Sequence, residues 1–150
     1  MAQGCAKVPV VTLYHNRLQK MLGRRIHEIM EMLPYIGLDI EEEGKDYVRV
    51  EYNPNRPDFS TDYGIARALK GMLNAELGLP DFRSGRSKVA IKVDRSVAHV
   101  RPYIVSLVAM NGKLDDEGIR QIIAMQEDIH EGIGRKRKKV SIGIHNFDVV

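Results

Sequence analysis

Tryptophan is absent from this 150-residue chain, and cysteine occurs once, at Cys5. A lone cysteine excludes an intramolecular disulfide and a cysteine-based metal site within one chain, and a reducing cytoplasm is the compartment such usage suits. Aromatics are sparse, with 3 Phe and 6 Tyr, so the core is expected to consist of Ile, Leu, Val and Met. No run approaches the roughly 20 apolar residues that a membrane span needs. The opening residues Met1–Val8 carry no apolar stretch with a cleavage site behind it, so they do not read as a secretory leader. Residues 1–7 read instead as a disordered tail or a cloning remnant. The histidines His15, His27, His99, His130 and His145 show no ligand spacing, and no metal site is expected. There is no Walker loop, no GxGxxG and no GxSxG elbow, so no bound nucleotide and no serine nucleophile is indicated.

What is present is an ordinary apolar fraction of 43%, enough for one domain or a small domain plus part of a second. Charge is unevenly spread. Residues 1–85 hold 11 Lys/Arg and 12 Asp/Glu, a net of −1, whereas residues 86–150 hold 12 and 8, a net of +4. The basic second half suits a polyanionic partner, although many solvated surfaces carry as much.

Strands are expected at Val8–Tyr14, Leu38–Glu42 and Tyr47–Tyr52, the last two joined by a hairpin turn near Gly44. Asn16 is placed to cap a short helix that stops at Gly23. Ile26, Ile29, Met30 and Leu33 share one face of a second helix, closed by Pro34. Asn53–Asp58 is dense in breakers and reads as a turn. Thr61 precedes a third helix, with Ile65, Leu69, Met72 and Leu73 on its apolar face. The stretch 77–87 is rich in breakers and reads as an inter-domain linker, whose bounds are placed at 81–88. Beyond it, Val89–Val93, Tyr103–Met110 and Val140–Ile144 have strand composition. Asp115, Asp116 and Glu117 open a helix whose inner stripe is expected to be Ile119, Ile122, Ile123, Gln126 and Ile129. The fold class is therefore α+β. A small N-terminal domain at 8–80 is followed by the start of an α/β domain at 89–150.

Four features have the residue types for binding or chemistry. Asn55, Arg56, Pro57 and Asp58 make a rigid turn, with Arg56 able to hold Asp58; the plain reading is a helix-docking turn and the functional one a subunit contact. Gln126 puts a polar amide on an apolar helix face, where it must find hydrogen bonds; it is either satisfied by backbone or lines a pocket. Arg135, Lys136, Arg137, Lys138 and Lys139 are five consecutive cations suited to phosphate, or else a solvated basic loop. His145 and Asn146 stand at the end of a strand-like run, facing a site or simply leaving the strand.

Taken together, several stretches resemble the β-subunit of phenylalanyl-tRNA synthetase of the archaeal and eukaryotic type. They are PVVTLY at 9–14, LPYIGLDIEEEG at 33–44, NPNRPDFSTDYGIARALKGML at 53–73, and the run from Arg101 to Asp148. They fall in the family's order and cover nearly everything after residue 7. Two positions depart from the family's pattern: Tyr63 stands where a glutamate is usual, and Asn146 where an aspartate is. The chain is also far shorter than the family's subunit, as an N-terminal fragment would be.

The resemblance implies an (αβ)2 heterotetramer in the cytoplasm, with tRNA(Phe) as its nucleic-acid partner. ATP and magnesium serve the whole enzyme, and no cofactor is expected on this fragment. It implies that residues 89–150 begin an incomplete editing domain. There Gln126, His145 and Asn146 would line the pocket, and Arg135 to Lys139 would contact tRNA. No catalytic residue is assigned within the fragment, which is expected to neither charge nor edit tRNA alone. Two other readings stand beside this one: a stand-alone basic RNA-binding module, and an interaction protein that docks on the α-subunit. An incomplete sheet would leave an open edge through which the fragment could self-associate.

Overall fold

The computed structural model describes residues 8–149, so the expected tail at 1–7, Cys5 included, lies outside them. The chain divides into two units, Met1–Gly78 with Leu114–Gly143, and Leu79–Lys113 with Ile144–Val150. The architecture is α+β, as the composition and periodicity indicate.

In the first unit, strands β1 (Val10–Tyr14), β2 (Asp39–Glu43) and β3 (Tyr47–Glu51) form an antiparallel sheet in the order β1-β3-β2. Alternation decides which face is buried. Val11 and Leu13 of β1 lie opposite Val50 and Val48 of β3, and all four point into the core. β2 is an edge strand with an irregularity between Ile40 and Glu42. Its Asp and Glu side chains blunt the edge against further pairing. Gly44 N–H donates to the Tyr47 carbonyl at 2.9 Å and closes the hairpin.

Three helices cover the sheet. α1 (His15–Leu22) buries Leu18 and ends at Gly23, whose φ of 62° is the left-handed conformation glycine adopts without strain. Asn16 is not its cap; the helix starts directly from Tyr14 of β1, and Asn16 lies within its first turn. α2 (Ile26–Met32) buries Ile29, and the chain tightens into a 3-10 turn at Leu33–Ile36 around Pro34. α3 (Asp62–Met72) is capped by Thr61, whose hydroxyl oxygen accepts the Gly64 N–H at 3.0 Å. Its inner face is Ile65, Ala66 and Leu69, while Met72 at the helix end is exposed. The turn expected at 53–58 is partly an ordered element, because Pro57–Ser60 forms a 3-10 helix that buries Phe59. Leu13, Leu18, Ile29, Leu33, Leu38, Val48, Val50, Phe59, Ile65 and Leu69 make one continuous core. Each large aliphatic or aromatic side chain buried there stabilises the fold by about 1.5–3 kcal/mol.

The fourth helix, α4 (Asp116–Glu131), also belongs to this unit. Asp115 caps it through a 2.7 Å bond from the Gly118 N–H. Its fully buried residues are Gln121 and His130, and of the expected inner stripe Ile122, Gln126 and Ile129 are half-buried. Ile119 and Ile123 are exposed. The helix lies against the Pro57–Ser60 turn, and the hydrogen bonds that join it to the domain go to Asp62 and Tyr52.

The second unit contains a 3-10 turn at Arg95–Val97, capped by Asp94, and another at Phe147–Val149. The strands expected at Val89–Val93, Tyr103–Met110 and Val140–Ile144 do not form. A strand needs a partner with which to exchange backbone hydrogen bonds, and these apolar stretches meet none. Tyr103 and Val105 are 90% and 95% exposed.

Two glycines of α3 make opposite demands. A Cβ on Gly64 would overlap the carbonyl oxygen of Asp58, whereas one on Gly71 would enter open space. Gly64→Ala is expected to destabilise by about 1–3 kcal/mol, as overpacking does. Gly71→Ala is expected to stabilise by about 0.5–1 kcal/mol through helix propensity. Urea-unfolding midpoints check both; equal shifts in the two variants would rule out the close approach at Gly64.

Candidate functional site

A buried carboxylate ties α4 to the sheet domain. Asp62, in the first turn of α3, is 2% exposed and ion-paired with the Arg17 guanidinium of α1. Its backbone N–H donates to Gln121 Oε1 of α4 at 2.8 Å. Gln121 Nε2 in turn donates to Glu117 Oε1 at 3.1 Å. Arg17 also reaches the α4 cap, with Nη1 2.7 Å from Asp115 Oδ2. The hydrogen bond to Asp62 raises Arg17 above its ordinary value against the opposing effect of burial. A second strut joins the Tyr52 hydroxyl to the Asp128 carboxylate. Burial first, and then this hydrogen bond, push the Tyr52 phenol up, so it stays a neutral donor.

The C-terminal end of α4 leads into the basic run. Gly134 is buried, and a Cβ there would lie 2.8 Å from both the His130 and Val140 carbonyl oxygens, so glycine alone fits. Arg135, Lys136 and Arg137 follow with φ of 49°, 55° and 61°, three successive left-handed residues without a glycine. Such residues cost about 1–2 kcal/mol each, so neighbouring contacts must hold them. Arg137 N–H donates to the His130 carbonyl at 3.2 Å and Lys139 N–H to that of Gly134 at 2.8 Å. The Arg137 side chain turns back onto α4, with Nη2 2.6 Å from each oxygen of Glu127. Arg135, Lys136 and Lys139 are exposed. Cations after a helix C-terminus also meet its negative dipole end favourably.

Two α4 side chains hold the segment that follows. His130 Nε2 accepts the Ile142 N–H at 2.8 Å, and Gln126 Nε2 donates to the Ile142 carbonyl at 2.6 Å. Both backbone groups of Ile142 are thus taken by side chains, which is why no ladder forms there. His130 Nδ1 lies 3.0 Å from Arg137 Nε and 3.4 Å from Glu127 Oε1, beside the carboxylate that holds Arg137.

The residues singled out from sequence fall into three places. Gln126 and the run Arg135–Lys139 lie together at the end of α4 in the first unit. His145 and Asn146 lie in the second unit, where Asn146 Oδ1 accepts the Asp148 N–H at 3.0 Å. Arg56 pairs with Asp58 through two nitrogens, at 3.0 and 2.7 Å, and its guanidinium stacks 3.6 Å from the Phe59 ring centroid. That clamp fixes the turn, while Asn55 beside it is exposed. The Arg56 clamp opens onto a groove of about 420 Å³ lined by Tyr63, Arg67, Glu76 and Met125. Glu76 is paired with Lys70 at 2.9 Å. Among the described residues, no three His, Cys, Asp or Glu side chains cluster to hold a metal ion, and no helix is long and apolar enough to cross a membrane.

Sequence reading missed Arg17, Asp62, Gln121, Glu127 and His130. One signal was available: Glu127 and His130, three apart, share a helix face with Gln126.

No family model matches the chain. It is 43% identical over 143 residues to the phenylalanine–tRNA ligase beta subunit of Archaeoglobus fulgidus, covering 95% of this chain and 26% of that protein. The same-named subunits of Methanothrix thermoacetophila and Methanosarcina acetivorans are 41% and 39% identical, over 95% and 93% of this chain and 27% and 26% of theirs. The chain thus spans about a quarter of the length of the curated relatives it matches.

The Asp115 carboxylate is held below its ordinary range, first by the Gly118 N–H and then by the charge of Arg17. A depressed carboxylate stabilises the fold above the unfolded-state value of about 4 and loses that contribution as pH falls through the folded value. Asp115→Asn keeps a capping oxygen but cannot titrate. The variant is expected to be less stable than the parent at neutral pH, and the two unfolding curves should converge as pH falls from about 4 to about 2. Thermal unfolding across that range checks this, and a constant gap between the curves would refute it.

Proposed function

Because the chain belongs to the phenylalanine–tRNA ligase beta-subunit family, of whose curated members it spans about a quarter, we propose that it is a scaffolding and RNA-contacting portion of such a subunit. In this reading its partners are an α chain, in an (αβ)2 assembly, and tRNA(Phe) in the cytoplasm. The α chain binds phenylalanine, ATP and magnesium and charges the tRNA. This chain's own residues do not fit ATP and magnesium: the groove's Arg56 and Glu76 are committed to Asp58 and Lys70, and no step of that chemistry is assigned to it.

The division of labour proposed for the sequence is a small domain at 8–80, a linker at 81–88 and the first part of an editing domain at 89–150. Editing has a physical reason. A hydrophobic pocket discriminates weakly against a substrate that only adds a hydroxyl, as tyrosine does to phenylalanine. A second site that hydrogen-bonds the hydroxyl selects the error and positions its ester for water. Gln126, His145 and Asn146 are our candidates for the wall of that site, and Arg135 to Lys139 for the tRNA backbone. Asn55 to Asp58 are the candidate subunit contact. The single observation that carries the reading is 35–43% identity to archaeal beta subunits over nearly the whole chain. The exposed cations after α4 support its RNA-facing part.

This portion alone is expected to be inactive. Mixed with tyrosyl-tRNA(Phe), the folded chain should leave the ester decaying at the rate of a protein-free control. Hydrolysis above that background would place a working site within these 150 residues and overturn the scaffold reading.

A further inference from the structure

The reading of the basic turn as an RNA contact treats all five cations alike, and the geometry separates them. We propose that Arg137 is a strut rather than a phosphate contact, and that Glu127 and His130 are positioning residues which hold the turn so that Arg135, Lys136 and Lys139 face an RNA backbone. This inference rests on the RNA-contact reading and assigns roles within it.

Three observations carry it. Arg137 Nη2 straddles the Glu127 carboxylate at 2.6 Å from each oxygen, so its charge is partnered within the chain although both side chains are about half exposed. The backbone at Arg135, Lys136 and Arg137 is left-handed at three successive non-glycine residues, a conformation that persists only where surroundings enforce it. The enforcing contacts converge on one α4 turn: the His130 carbonyl takes the Arg137 N–H, and the His130 ring takes the Ile142 N–H. The turn is therefore pinned on both sides by the same helical residue, with Glu127 one helical turn away. Lys136, at the middle of the left-handed run, is exposed, as are Arg135 before it and Lys139 after it.

A carboxylate beside an RNA-binding surface gives the proposal a test of sign. By charge alone, Glu127→Gln removes a negative group and strengthens binding to a polyanion. By the strut, the same change frees Arg137, loosens the turn and weakens binding. The probe is unfractionated tRNA, its affinity for the full chain measured by fluorescence anisotropy between 50 and 200 mM salt, the range over which phosphate contacts show their salt dependence. Glu127→Gln is expected to weaken binding about three- to thirty-fold. Arg137→Lys keeps the charge but loses the planar guanidinium that reaches His130 through Nε and Glu127 through Nη2, and a similar loss is expected. The double variant should lose no more than the worse single, since both act through one contact. Tighter binding by Glu127→Gln, or additive losses, would overturn the proposal.

Amide hydrogen exchange at Lys139, whose N–H bonds Gly134, supplies a readout without RNA. It should quicken in Glu127→Gln and in Arg137→Lys, and unchanged exchange counts against the strut. Arg135→Ala and Lys136→Ala test the underlying reading separately. Each should flatten the slope of log affinity against log salt by about 0.7–0.9 and leave Lys139 exchange as it was. If neither changes the slope, the RNA reading fails even where the exchange data uphold the strut.

Discussion

The attachment of α4 to the sheet domain depends on one buried charge. A carboxylate with 2% exposure is costly unless its partners replace water. Asp62 meets that condition from two directions. Arg17 supplies the countercharge, and the first turn of α3 supplies its positive dipole end. Losing one member of such a pair typically costs on the order of 3–5 kcal/mol, because the other charge remains buried. Arg17 serves Asp62 and Asp115 together, so α1, α3 and the start of α4 are fixed relative to one another by a single guanidinium.

This arrangement explains the inverted character of α4. An amphipathic helix ordinarily buries its apolar stripe. Here the face turned to the domain carries Gln121 and Asp128, each committed to a named partner, His130 on the opposite side of the helix holds Ile142, and Ile119 and Ile123 are exposed. A polar interface of this kind fixes register more than it adds stability, since each hydrogen bond nets only about 1 kcal/mol. The outward isoleucines and the exposed apolar runs around Val105 are both surfaces without a partner.

The first seventy described residues were largely legible. Alternation at Tyr47–Glu51, the Gly44 turn, the Gly23 stop and the Thr61 cap are local signals, and each names its own structure. What was not legible is of two kinds. Periodicity identifies the apolar face of a helix but not whether a partner exists to cover it, hence the error over Ile119 and Ile123. Strand composition at Tyr103–Met110 likewise says nothing of whether a ladder can form. The polar links join residues far apart, Arg17 to Asp62 and Asp62 to Gln121, and no local window contains both ends. Of the candidate site, the sequence named Gln126 and the cations but not Glu127 or His130, which set how those cations are presented.

The left-handed turn joins these strands of reasoning. Neither glycine nor asparagine marks it, so residue preference gives no sign of it. Three such residues together cost about 3–6 kcal/mol, and clustering like charges adds to that at low salt. Relaxing the backbone would spread the cations and relieve both penalties, yet the turn stays closed. What outweighs them is the set of contacts to one end of α4: the Glu127 carboxylate on Arg137, the His130 carbonyl on the Arg137 N–H, and Gln126 and His130 on Ile142. Those contacts run between α4 and the segment that follows it, while Gln121 and Asp128 join the same helix to Asp62 and Tyr52. One helix therefore carries both sets of bonds, and the basic turn at its end holds positive charge at a density that a free loop would not keep.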